Sequence, residues 1–182
     1  MSSPPRKKVG VLLSGGGSNL QALIDAAAAD GYPAEIALVL SNNADAFGLE
    51  RARRAGIATS VVDHRGFADR PTFDAEIDAV LRKAGVEIVC LAGFLRVLTP
   101  GFVDKWRDAM LNIHPSLLPA YKGLHSHERV LDAGDKLHGA TVHLVRPALD
   151  DGPMLLQAQV PVLPGDDPAT LAARVLEKEH VI

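Results

Sequence analysis

Short apolar runs recur along the first part of the chain, each followed by a stretch with helical spacing. The runs lie at residues 9–13, 35–40, 59–62 and 87–91, and a further one ends at Ile113. Between them, Leu20, Leu23, Ile24, Ala27 and Ala28 recur at the interval of one helix face. A second helix is expected over 46–55, stopped by Gly56, and a third along Phe73, Ile77, Val80, Leu81 and Ala84, stopped by Gly85. A short helix near 101–106 precedes the last run. Strands apolar on both faces and separated by helices predict a parallel sheet covered on both sides. The rhythm then breaks. Runs 139–145 and 154–160 both read as strands, yet their connection is far too short for a parallel crossover, so it predicts a hairpin and an antiparallel portion late in the chain. A final helix is expected over 168–178. No repeat, low-complexity tract or linker interrupts this order, which predicts one domain over 1–182 with a loose tail at 1–7.

Composition narrows the class. Of 182 residues, 47% are apolar and 23% charged, the balance of a globular protein. A net charge of −3 offers no general attraction to nucleic acid or an acidic membrane. The single Cys90 lies inside an apolar run, which points to a buried thiol and excludes an internal disulfide or a multi-cysteine metal site. No apolar run approaches the roughly 18 residues of a membrane span, and the opening residues lack a signal-peptide pattern. A soluble, cytoplasmic protein is the expectation.

The densest chemistry is the octet Asn112-Ile113-His114-Pro115-Ser116-Leu117-Leu118-Pro119. Alternation along a strand puts Asn112 and His114 on one side, with Ile113 turned away. The prolines keep the following loop from continuing as strand or helix. A carboxamide beside an imidazole suits a reaction that builds negative charge on a carbonyl oxygen, because the amide donates to that oxygen and the ring donates or moves a proton. The octet alone fits equally well an Asn and a His that merely satisfy backbone groups at a turn.

A second candidate site is Ser14-Gly15-Gly16-Gly17-Ser18-Asn19, between the first strand and first helix. Glycines permit a tight turn and close approach of a ligand, and N–H groups at a helix start favour an anion. The spacing departs from G-x-G-x-x-G, and the second strand ends in Ser41-Asn42-Asn43 with no acidic residue for an adenosine ribose. A mononucleotide or sugar phosphate fits this loop better than a dinucleotide, although such turns also serve close packing alone.

Together these motifs resemble those of the glycinamide ribonucleotide formyltransferases, folate-dependent enzymes of purine synthesis, from Val9 to Ile182. The resemblance rests on residues 14–22, 44–52, 91–96 and 112–119, with Leu149-Asp150-Asp151-Gly152-Pro153. It implies a Rossmann-like α/β formyltransferase fold, mostly parallel with an antiparallel C-terminal portion. It also implies formyl transfer from 10-formyltetrahydrofolate, as co-substrate and with no metal, to the amine of glycinamide ribonucleotide. Asn112 and His114 match the family's oxyanion-stabilising and acid–base pair, and Asp150 the carboxylate that orients the imidazole and favours its cation. Gly17, Ser18, Asn19 and Leu20 match the phosphate loop, and Glu179 an acidic residue near the glycinamide end. Arg70, Leu95, Arg96, Val97, Leu98 and Arg146 match the folate side, where Asn112 and Asp150 also contribute; Leu95 and Leu98 would flank the pterin. The partners implied are these two small molecules, with no nucleic acid or membrane and a monomer or homodimer as the assembly. His125, His127, His138 and His143 receive no chemical role, His125 and His127 being read as surface residues beside a helix start.

Two departures stand out. Family members often carry a polar or basic residue where this chain has Gly16, which leaves backbone N–H groups to hold the phosphate. They also usually continue past the region of Glu179 for another strand and a tail, so the C-terminus reads as shorter than the family's. The rival readings are a non-catalytic binding module, a formyltetrahydrofolate hydrolase and, more remotely, a nicotinamide-dependent oxidoreductase.

Overall fold

The computed structural model describes residues 5–182. The first four residues of the expected tail lie outside them. Two compact units divide the chain at Leu111 and Asn112.

In the first unit, β1 (Lys7–Leu13), α1 (Ser18–Ala27), β2 (Ala34–Ser41), α2 (Phe47–Arg54) and β3 (Thr59–Val61) alternate as the pattern predicts. A 3-10 turn (His64–Gly66), α3 (Arg70–Lys83), β4 (Ile88–Leu91) and α4 (Pro100–Lys105) follow. β1 pairs in parallel with β2 on one side and β4 on the other, and β2 with β3. Val9, Val11 and Leu13 alternate onto one face of β1 and pack with Leu20, Val39 and Leu49. The tail is shorter than expected: Lys7 is already strand, opposite Ala34, with its ammonium 2.6 Å from Glu87. An ion pair and the ladder hold a residue that composition alone assigns to solvent.

Helix starts follow their capping chemistry. Asp69 accepts from the Thr72 N–H at 2.9 Å, and a proline follows in the first turn of α3. Thr99 plays the same part for α4. Between these helices Asp78 takes three donors: the Trp106 indole at 3.0 Å, Arg82 at 3.0 Å and Lys105 at 3.2 Å. Burial opposes its charge, but Arg82 and Lys105 outweigh that and hold the carboxyl below its ordinary range. Replacing Asp78 with Ala strands the buried indole N–H, and a loss of about 2 kcal/mol is expected in urea unfolding. An unchanged midpoint would show that the indole finds another acceptor.

β5 (Met110–His114) opens in the first unit and closes in the second, which continues with α5 (Ser126–Ala133), β6 (Leu137–Leu144), β7 (Met154–Pro161) and α6 (Pro168–Glu179). The strand order is β3-β2-β1-β4-β5-β6-β7, a seven-stranded mixed sheet. β6 and β7 are antiparallel, as the short connection requires. Leu171 and Val175 of α6 pack with Val130, Ala140 and Val160. Pattern reading places a helix start beside His125 and His127 without giving its extent; the helix runs Ser126–Ala133 and buries Ser126 and Val130.

Candidate active site

The second unit assembles four polar side chains where β5 ends. Asn112 and His114 leave the strand on one side, as alternation predicts, and His114 is 7% exposed. Its Nδ1 lies 3.4 Å from Asp150 Oδ2, so the structure closes the long-range contact that spacing cannot supply. Its Nε2 lies 3.0 Å from the Tyr121 carbonyl oxygen. Both partners only accept, so a protonated ring has an acceptor for each N–H. Asp150 also accepts from the Gly123 N–H at 2.9 Å. Burial of the carboxyl opposes its charge, but His143, the Gly123 N–H and the charge of His114 together hold it below its ordinary range.

His143 is the residue that sequence reasoning missed. It is 1% exposed, with Nε2 3.1 Å from Asn112 Nδ2 and 3.7 Å from Asp150 Oδ1. Its Nδ1 faces the Leu144 carbonyl oxygen at 3.1 Å. A proton on Nδ1 alone lets Nε2 accept from the Asn112 amide, whereas a proton on Nε2 faces Asp150 Oδ1, so the protonation of this ring sets whether it supports Asn112 or Asp150. Two-residue alternation along β6 from Thr141, which is also buried, was the signal that could have found His143.

The loop between β5 and α5 is tied down by backbone and side-chain bonds. Thr141 Oγ1 donates to the Ser116 carbonyl at 2.7 Å and accepts from the Leu118 N–H at 3.1 Å. Tyr121, Gly123, His125 and Asp150 all have φ between 48° and 78°, so unfavourable backbone is concentrated around the carboxylate and the Tyr121 carbonyl. His127 is not the surface residue that its polar neighbours suggest. It is half-buried on α5, with Nδ1 3.0 Å from Nε2 of the buried His138. Burial, with His127 and His114 nearby, pushes the His138 pKa from 6.5 down to about 4. The unfolded chain therefore takes up this proton at a higher pH than the native state does. The stabilisation is whole above pH 6.5 and is lost as pH falls toward 4, by an amount on the order of 3 kcal/mol. Urea unfolding across that range is expected to show a slope that shrinks in His138→Gln; an equal slope in the variant would refute this origin.

In the first unit, Gly15, Gly16, Gly17, Ser18 and Asn19 line a cavity of about 370 Å³ together with Phe47, Arg51, Ala92, Gly93 and Leu95. Gly17 has φ 71°, and a Cβ there would come within 2.6 Å of the Gly48 Cα, so both backbone shape and helix packing demand glycine. Arg51 Nε donates to the Gly16 carbonyl at 2.9 Å. Leu20, read as part of the phosphate loop, is a fully buried core residue of α1. Of the residues that the resemblance assigns to folate, Leu95 is 73% and Val97 57% exposed, whereas Leu98 is buried, so Leu95 and Val97 are the apolar side chains facing out. Arg70 is exposed at the start of α3, and Arg96 is half-buried. In the second unit, Arg146 reaches the Val145 carbonyl, and Glu179 closes α6 near enough to His127 for its charge to act there. Among the described residues, no cluster of acidic, histidine or cysteine side chains is arranged to hold a metal, and no helix is long and apolar enough to cross a membrane.

The mixed, mostly parallel Rossmann-like sheet defines a class of fold, and the comparisons agree with it. Residues 7–182 match the formyl transferase family model. The chain is 49% identical to phosphoribosylglycinamide formyltransferase of Escherichia coli K12, over 94% of this chain and 81% of that protein. It is 52% identical, over 99% of its length, to the trifunctional purine biosynthetic protein adenosine-3 of Drosophila pseudoobscura pseudoobscura, of which it spans 13%. The crystal structure of phosphoribosylglycinamide formyltransferase from Brucella melitensis matches with a TM-score of 0.93 and 52% identity, over 97% of this chain and 91% of that one. The chain belongs to the formyl transferase family, and within it to the phosphoribosylglycinamide formyltransferases.

Proposed function

We propose that the chain transfers the formyl group of 10-formyltetrahydrofolate to the amine of glycinamide ribonucleotide in purine biosynthesis, in the cytoplasm. The observation that carries this reading is the Asp150 carboxylate between His114 and His143, with Asn112 held by His143. The substrate amine attacks the formyl carbon, and the carbonyl pair moves onto oxygen. Asn112 donates to that oxyanion, and protonated His114 stabilises it through its positive charge. A proton passes from the attacking nitrogen to N10 of the folate, the bond from carbon to N10 breaks, and the carbonyl re-forms. Asp150 keeps His114 oriented and offsets its charge. No covalent enzyme intermediate is required. Gly17, Ser18 and Asn19 offer the ribonucleotide phosphate N–H groups at the start of α1, and Glu179 suits the glycinamide end. Arg70, Leu95, Arg96, Val97, Leu98 and Arg146 serve the folate.

The test is an absorbance assay of tetrahydrofolate release from 10-formyltetrahydrofolate, with and without glycinamide ribonucleotide. Release that requires the ribonucleotide supports transfer to the amine. Release without it, with formate as product, identifies a hydrolase and overturns the proposal.

A further inference from the structure

Segment 93–98 exposes Leu95 and Val97 to water while its backbone is fixed at both ends. At the near end, the Leu95 N–H donates to Ser14 Oγ at 2.8 Å, and the Ser14 N–H donates to the Gly93 carbonyl at 3.0 Å. The same hydroxyl donates to Oδ1 of Asn42 at 2.6 Å, and Asn42 is itself 6% exposed. Ser14 thus spends its donor on a fixed acceptor, which leaves a lone pair aimed at Leu95. At the far end, the Thr99 N–H and hydroxyl both donate to Oδ2 of Asp74, at 2.7 and 2.6 Å. Asp74 is 3% exposed. Isolated exposed apolar residues are ordinary, but a loop pinned by buried polar groups so that two of them stand outward is preorganised to receive a flat apolar ligand. Preorganisation raises affinity by removing the ordering cost of binding.

We infer that Ser14 is a positioning residue for the folate: its hydroxyl holds the Leu95–Val97 platform in the binding conformation, with Asp74 as the second anchor. This deepens the proposed function and rests on it. Ser14 also immediately precedes the glycine-rich loop, and both segments line the same cavity. One hydroxyl therefore sets the spacing between the wall that would face phosphate and the wall that would face the pterin. Removing it frees the Leu95 end of the platform while leaving the phosphate N–H groups, which α1 itself orients, in place.

The experiment is steady-state kinetics of the full chain, with Ser14→Ala and Ser14→Thr, together with calorimetric titration of tetrahydrofolate. In Ser14→Ala the KM for 10-formyltetrahydrofolate and the Kd for tetrahydrofolate are expected to rise roughly tenfold, the scale of one lost hydrogen bond. The folate KM should rise by a larger factor than kcat falls or the ribonucleotide KM rises, and Ser14→Thr, which keeps the hydroxyl, should restore folate affinity. Unchanged folate affinity in Ser14→Ala, whatever its thermal stability, overturns the inference and makes the hydroxyl merely structural. Equal weakening in Ser14→Thr overturns it too. A wild-type protein that binds no tetrahydrofolate removes the folate reading of the segment, and the inference with it.

Discussion

Replacement of His114 with Ala is expected to lower formyl transfer by roughly 10²- to 10⁴-fold, with the larger share in kcat. The ring is buried and held at both nitrogens, by Asp150 at 3.4 Å and the Tyr121 carbonyl at 3.0 Å, so it cannot swing away from a developing oxyanion. Alanine removes the imidazole and its charge and leaves Asp150 with the Gly123 N–H and His143 as its neighbours. Asp150→Asn separates two parts of the effect. It keeps the size of the side chain but loses the charge that balances the imidazolium, so a decrease of about 10²-fold is expected, accompanied by a changed pH profile. Because the Asp150 carboxyl sits below its ordinary range, it stays charged throughout the neutral region, and its own protonation does not shape the wild-type profile there. Single-turnover rates from pH 5.5 to 9 are the measurement. A His114→Ala enzyme within threefold of wild type would remove His114 from the chemistry.

Gly152→Ala is expected to damage both stability and catalysis. A Cβ at Gly152 would stand 1.6 Å from the Leu144 carbonyl oxygen, a backbone atom that cannot step aside alone. The turn must move, and it carries Asp150 two residues earlier, already at φ 48°. Overpacking of this kind costs roughly 1–3 kcal/mol. Displacing a catalytic carboxylate by about 1 Å can cost near 10²-fold in rate. Thermal unfolding together with kcat tests both parts. A variant with lowered stability and intact kcat would show that the turn relaxes on the side away from Asp150.

Particular residues show how far the sequence reached. Asn112 and His114 were paired by alternation alone, because two residues on one strand need no information from elsewhere. The glycine-rich turn into α1 was legible for a related reason: strand, glycines and helix start are consecutive. Asp150 was assigned only through family resemblance, since an Asp in a Pro- and Gly-rich connection is otherwise an ordinary turn residue. His127 was passed over because a histidine among polar neighbours carries no local mark of burial, whereas His143 carried one, two residues from Thr141 on an apolar strand, that went unused. Leu95 and Leu98 were assigned together through family resemblance; only the tertiary structure shows that the chain turns Leu98 into the core and Leu95 into water.

The order of strands and helices, the parallel first part and the late hairpin came from periodicity, because burial on one or two faces imprints a repeat of 3.6 or 2 on the residues themselves. Which polar side chains α5 buries was decided by tertiary structure, since nothing local marks Ser126 or His127 for burial. The same holds for the two walls that Ser14 ties together and for the carboxylate set between two imidazoles. These depend on which backbone carbonyl or side chain arrives from a distant segment. Such contacts are chosen by the packing of whole elements, and no local spacing records them.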